Sequence, residues 1–135
     1  MSREIGFRVW SKKYNKYFEL SALVYENGKI VSILVNSGIS DDISDIIDLE
    51  PEDIVLEQDT GLKDKNGKKI YDGDIFKDEY NGGYEVVKYV NQRAAFCLCW
   101  MNQESESGGF YIRDTTEMEI VGTIHENPEL LGGEE

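Results

Sequence analysis

Few side chains in this sequence could do chemistry. Cys97 and Cys99 are the only thiols, and His125 is the only imidazole. On a strand, residues two apart share a face about 6.6 Å from each other along the chain. A disulfide across that spacing is strained. Zinc takes about four ligands, and one distant histidine does not complete a set with two cysteines. The pair is therefore read as core or wall positions. His125, in Ile124-His125-Glu126, is the single candidate for general-base work. Nucleophilic catalysis would require it to meet Cys97 or Cys99 across the fold. The carboxylate pairs Asp41/Asp42 and Glu52/Asp53 do not follow the Asp-x-Asp-x-Asp-Gly pattern of a calcium loop and read as a solvated face. Lys63, Lys65, Lys68 and Lys69 cluster, but Asp64, Asp72 and Asp74 offset them. The stretch also lacks the Gly-x-x-x-x-Gly-Lys-Ser/Thr signature of a phosphate loop, and no helix follows it. No catalytic constellation is visible, so no enzyme, cofactor or metal site is expected.

Charge narrows the partners. The net charge is −13 over 135 residues, and it is unevenly spread. Residues 1–36 carry six Lys/Arg against three acids, whereas residues 41–59 carry nine acids and no Lys or Arg. An acidic chain repels phosphate backbones at long range, which argues against ordinary nucleic-acid binding. It suits a basic protein partner, self-association between opposite charge blocks, or solubility alone. No run has the length of a membrane span. The opening Met1-Ser2-Arg3-Glu4-Ile5 lacks the apolar core of a signal peptide, so the expected compartment is the cytoplasm.

The elements that must position these residues read as mainly β. The length suits one domain, or one domain with a sizeable appendage, and no staple is needed. Ile5–Trp10 alternates as a strand and returns through a polar turn to Tyr17–Leu20, making a hairpin. In that hairpin Arg8 is assigned to the solvent face and Trp10 to a packed one. Leu23–Tyr25 and Ile30–Val35 flank Asn27-Gly28, a tight hairpin turn. Ser40 is placed as a helix cap, with Asp41 and Asp42 in the first turn and Ile43, Ile46 and Ile47, extending to Ile54, at helical spacing; Pro51 either breaks this helix or starts a second short turn. This predicts a short acidic helical segment. Ile54–Gln58 is a strand, Thr60-Gly61 a turn, and Asn66-Gly67 the turn of another hairpin. Asp72-Gly73 turns into the strand starting at Asp74. Asn81-Gly82-Gly83 is a further turn. Tyr84–Val90, the nearly apolar Ala94–Met101, Phe110–Arg113 and Met118–Ile124 complete the strands, with a polar loop over residues 103–109. Ala94–Met101 reads as a central strand buried on both sides. Asn127-Pro128-Glu129 starts a terminal helical turn.

Three blocks carry a family. They are Arg3–Trp10 at the start, Thr60–Ile75 in the middle and Val121–Leu131 at the end. The longest reads Thr60-Gly61-Leu62-Lys63-Asp64-Lys65-Asn66-Gly67-Lys68-Lys69-Ile70-Tyr71-Asp72-Gly73-Asp74-Ile75. In these blocks the chain strongly resembles the YopX family of phage and prophage proteins, closely enough to expect the family's namesake or a near relative. The resemblance implies an SH3-like barrel, a phage or prophage origin and action in the bacterial cytoplasm. It implies no catalytic or binding residues.

The expected architecture is thus mainly β: N-terminal hairpins and one short acidic helical segment over residues 1–59, then an SH3-like small barrel over about residues 60–125, with a C-terminal helical turn by residue 135. Thr60, Gly61, Leu62, Asp64, Asn66, Gly67, Ile70, Tyr71, Gly73, Asp74, Asn127 and Pro128 form the family signature and read as structural. Trp10, Tyr71, Tyr84 and Trp100 are the candidates for an interaction surface. The expected function is a non-enzymatic protein-interaction or self-associating module with an unidentified protein partner. Two alternatives remain: an acidic decoy for a host nucleic-acid-binding protein, and a weak nucleic-acid binder working through the Lys63–Lys69 turn.

Overall fold

The computed structural model describes residues 5–38, 45–77, 83–100, 110–112 and 115–131. The chain divides into two compact units, one of Gly6–Gln58 and the other of the residues from Asp59 onward together with those up to Ile5. Both are antiparallel β structures, and no α-helix occurs among the described residues.

The first unit contains β1 (Phe7–Ser11), β2 (Lys16–Glu26), β3 (Lys29–Asn36), β4 (Ile46–Leu49) and the first half of β5 (Ile54–Lys63). The order across the sheet is β4-β3-β2-β1-β5. Asn27 and Gly28 both have positive φ, 53° and 81°. That is the backbone of a two-residue turn whose twist matches the strands it joins. One sheet face carries the core: Val9, Phe18, Ile33, Val35 and Leu49 are buried, with Leu20, Leu23, Ile30, Ile47, Ile54 and Leu56 packed around them. Each such side chain removed from water contributes about 1.5–3 kcal/mol.

The acidic helical segment is not found where the structure can be read. Ile46 and Ile47 lie in β4, which pairs with β3 from Ile33↔Leu49 to Asn36↔Ile46. Ile54 begins β5 opposite Ser11. Their recurrence mimics a helical stripe, but β-branched residues suit a pleated surface, and β3 offers an edge on which Leu49 becomes buried. Pro51, lacking an N–H for the ladder, ends β4 in a single 3₁₀ turn over Pro51–Asp53. Ser40, Asp41, Asp42 and Ile43 lie outside the described residues.

The second unit contains the rest of β5, then β6 (Lys69–Tyr71), β7 (Asp74–Lys77), β8 (Tyr84–Val90), β9 (Ala95–Trp100), β10 (Phe110–Tyr111) and β11 (Ile120–Thr123). The last five form a sheet in the order β10-β9-β8-β7-β11. Ile70, Phe76, Val87 and Leu98 are its buried core, flanked by Leu62, Phe96, Ile112, Met118 and Ile120. On the opposite face of β9, Cys97 and Cys99 are buried with Val90, so β9 is a central strand covered on both sides. The five strands expected between Asp74 and Ile124 are present. They do not close into a ring among the described residues: β10 and β11 are the two edges, and β10 pairs only through Phe110↔Leu98 and Tyr111↔Cys97. The polar loop 103–109, the Asn81-Gly82 part of the turn before β8, and Arg113 lie outside the described residues. The terminal turn at Pro128–Leu131 is 3₁₀.

Candidate functional site

The stretch from Asp59 to Ile75 is built on carboxylates that accept backbone N–H groups. Asp59 Oδ1 accepts from Gly61 at 2.8 Å. Thr60 Oγ1 donates to the Ile70 carbonyl at 2.8 Å and accepts from Leu62 N at 3.2 Å. Gly61, with φ +88°, does not turn the chain as expected. β5 continues to Lys63, and its register against β6 slips between Asp59↔Tyr71 and Lys63↔Lys69. That is a bulge, the other use of a left-handed glycine inside a strand. At the next hairpin tip Gly67 has positive φ but Asn66 does not. Gly67 N donates to the Asp64 carbonyl, and Asp64 N to the Lys68 carbonyl. The loop is therefore a turn closed by a glycine bulge rather than a tight Asn-Gly turn.

Asp64 is the hub of this unit. Its Oδ1 accepts from Asn66 N at 2.9 Å and Lys68 N at 3.0 Å, and its Oδ2 from Ile120 N at 3.2 Å. Burial pushes the carboxyl's pKa up, but the three N–H bonds, with Lys68 nearby, outweigh it and hold the pKa below its ordinary value. Around the hub, Lys65 N donates to the Met118 carbonyl, and Thr115 Oγ1 to the Lys63 carbonyl at 2.7 Å. Asn66 Nδ2 donates to Glu119. The buried Asp74 accepts Tyr71 N at 2.8 Å. Gly73, φ +96°, exchanges backbone bonds with Val87 and Ile124.

The closing block locks in the same way. Asn127 Oδ1 accepts from Thr123 N at 3.1 Å, and Asn127 N donates to the Thr123 carbonyl at 2.9 Å. A Cβ built on Gly122 would overlap the Asn127 side chain. Gly122→Ala is expected to destabilise the chain by about 1–3 kcal/mol. The double substitution Gly122→Ala/Asn127→Ala should cost less than the two single effects added, because truncating Asn127 removes the overlap. Additive losses in urea titrations would show that the overlap relaxes elsewhere.

In the first unit, Arg8 does not face solvent as the sequence suggests. Its Nε lies 2.8 Å from Glu57 Oε1, with the side chains only 16% and 3% exposed. Tyr17 Oη donates to the same oxygen at 2.9 Å. The guanidinium sits 4.5 Å above the Tyr17 ring, and Trp10 meets that ring edge-on at 4.9 Å. Trp10 is therefore packed, as the sequence suggests for the hairpin, and is no surface aromatic. Tyr71 and Tyr84 are half-buried, and the Trp100 side chain lies outside the described set. Among the described residues, the exposed aromatics are Tyr14, Tyr25 and Tyr89.

The candidate chemical groups lie on β9 and in the turn after β11. Cys97 and Cys99 are buried free thiols, and burial raises the Cys99 pKa, which lowers its thiolate fraction and nucleophilicity. His125 lies half-buried in the turn after β11. Among the described residues no three His, Cys, Asp or Glu side chains converge as metal ligands. No helix among them is long and apolar enough to cross a membrane. A depression of about 240 Å³ in the first unit is lined by Lys16, Tyr17, Phe18, Glu19, Asn36, Ser37 and Gly38. Of these only Lys16 and Glu19 carry charge.

One surface stands out. β1 pairs with β2 only from Lys16 to Glu19, and β4 pairs with β3 only from Ile33 to Asn36. Among the described residues, the outer part of the hairpin, 20–32, thus pairs only with the facing strand of the same hairpin. Val24, Tyr25 and Val31 are 39%, 59% and 39% exposed there. Two register shifts, between Leu20/Ala22 and Val24/Tyr25, increase its local twist. Exposed β edges bearing apolar side chains are sites for pairing with another chain.

Comparison with known proteins decides the family. The YopX family model, described as YopX protein, matches residues 6–132. The chain belongs to the YopX family. The fold agrees with two crystal structures. Protein EF1440 from Enterococcus faecalis superposes with a TM-score of 0.61 at 24% identity, covering 96% of this chain and 99% of that one. Protein yopX from Bacillus subtilis gives 0.57 at 22% identity, covering 96% and 97%. At these identities the likeness carries the fold alone, and the chain is a distant rather than a near relative of the family's namesake. No curated protein matches the chain. Of the residues that the sequence assigns to the family signature, Thr60, Gly61, Asp64, Gly67, Gly73, Asp74 and Asn127 hold backbone in place. Asp59, outside the expected signature, does the same, and its spacing two residues before Gly61 is the sequence mark of a side-chain-capped turn.

Proposed function

We propose that this YopX-family chain is a non-enzymatic interaction module of a phage or prophage, acting in the cytoplasm of the bacterial host on a protein partner, a second copy of itself included. The carrying observation is the outer β2–β3 hairpin, whose strand edges pair only with each other and which exposes Val24, Tyr25 and Val31. The burial of both thiols favours binding over catalysis. The test uses Val24→Glu/Val31→Lys, which puts charges on the exposed positions without touching the core. Sedimentation of the wild type above its 15.4 kDa chain mass, returning to that mass in the variant, supports self-association through the hairpin. If the wild type stays a single chain, the variant should lose partners that the wild type captures from prophage-bearing cells. Equal behaviour in both assays removes the hairpin as the surface.

The SH3-like reading of residues 60–125 belongs to the same proposal and is supported by five short antiparallel strands in succession. Cross-strand NOEs joining the two sheet edges would establish closure, and an amide spectrum without them leaves an open sheet. A second reading, the acidic decoy, is supported by exposed Asp48, Glu50 and Glu52. It requires a captured basic partner that competing DNA releases. Direct binding of nucleic acid through the exposed Lys63, Lys65, Lys68 and Lys69 has less support, because Lys65 lies 3.5 Å from Glu119 and Lys69 3.9 Å from Asp59. Loss of retention on DNA-cellulose at low salt would remove it.

A further inference from the structure

Asn27-Gly28 and Asn66-Gly67 are the same dipeptide in two different settings. Both asparagines are exposed, and neither glycine has a neighbour within 4 Å of where a Cβ would stand, so solvent and backbone reach both. What differs is how each is held. Asn66 is fixed at three points: its N–H donates to Asp64 Oδ1, its side-chain amide donates to Glu119, and the following Gly67 N–H donates to the Asp64 carbonyl. Among the described residues, no hydrogen bond holds the Asn27 side chain or the Gly28 N–H. Asn27 also sits at the end of the hairpin stretch that is paired only with itself. Hydrogen bonds at such a tip open at little free-energy cost, whereas those tied into a core open rarely.

We infer that Asn27-Gly28 is a site of spontaneous deamidation in the folded chain and that Asn66-Gly67 is shielded from it by the Asp64 hub. The Gly28 nitrogen gives up its proton to solvent base and bonds to the Asn27 side-chain carbonyl carbon, and ammonia leaves. The resulting succinimide takes up one water at either carbonyl and opens to aspartate or isoaspartate. The net change is one water in and one ammonia out. Attack requires the Asn27 backbone to leave its left-handed conformation, φ 53°, so opening of the tip controls the rate. The product adds a carboxyl next to Glu26. In its isoaspartyl form it also lengthens by one carbon the turn that sets the hairpin register.

The experiment is peptide mapping by mass spectrometry of the intact chain incubated in mildly alkaline buffer, in parallel with the chain in concentrated urea. In the folded chain Asn27 should convert at least roughly tenfold faster than Asn66, and in urea the two rates should agree within about a factor of two. Equal rates in the folded chain, or an Asn27 that stays intact there while converting in urea, overturns the inference.

Discussion

Replacing Arg8 with alanine is expected to destabilise the protein by about 3 kcal/mol or more, a large share of the 5–15 kcal/mol that typically holds a domain together. The loss comes from what the substitution leaves behind. Glu57 is almost wholly buried, and its Oε1 accepts from Arg8 Nε and Tyr17 Oη. Without the guanidinium, the carboxylate remains out of water and loses the cation that balances its charge. The stacking of the guanidinium on Tyr17 is lost as well. If the penalty comes from the orphaned charge, removing both partners should recover most of it. The pair Arg8→Met/Glu57→Leu should lie within about 1–2 kcal/mol of wild type. Urea titration reads both, as a fall in midpoint at constant slope. A double variant as unstable as Arg8→Ala alone would mean that packing, not charge, is what Arg8 supplies.

The second large effect is at Asp64, and it has a pH signature. Asp64→Asn keeps the shape but puts an N–H₂ where one carboxylate oxygen was. Either Ile120 N–H or the Asn66 and Lys68 N–H pair then faces a donor instead of an acceptor. A loss of about 1–3 kcal/mol follows from leaving part-buried N–H groups without an acceptor. Because the folded-state pKa of Asp64 lies below its ordinary value of 3.8, the carboxylate's contribution is fully present well above that value. It fades as pH falls through it and is lost once the folded-state group is protonated. Wild-type stability should therefore drop as pH is lowered below about 5, and Asp64→Asn should show a shallower drop over the same range. Identical pH slopes for the two proteins would rule out Asp64 as a charged hub.

Much of the fold was legible before any coordinates. The alternation in Phe7–Trp10 and Tyr84–Val90, the Asn-Gly turn at 27–28 and the doubly apolar stretch ending at Trp100 each became the expected strand or turn. There, period-two patterning and turn chemistry act over a few residues and do not depend on distant partners. The acidic helix failed for the opposite reason. Ile46, Ile47 and Ile54 are compatible with a helical stripe until the edge of β3 is present to pair with β4. Gly61 likewise signals a left-handed residue, but whether that makes a turn or a bulge depends on β6 arriving alongside.

The candidate groups divide along the same line. The sequence by itself carried the resemblance to the YopX family, the thin stock of thiols and imidazole, and the uneven charge, because these are properties of residue type and order. It also marked Asp64, Gly67, Gly73, Asp74 and Asn127 as structural. It did not reveal that Arg8 finds Glu57 forty-nine positions away, or that Asp64 reaches Ile120 across fifty-six. Nor did it pick out the exposed Tyr25, which is not among the aromatics named as surface candidates. Only the tertiary structure decided those, because burial and pairing between charges far apart in sequence arise when strands register side by side, and no local pattern encodes which surface each strand will meet.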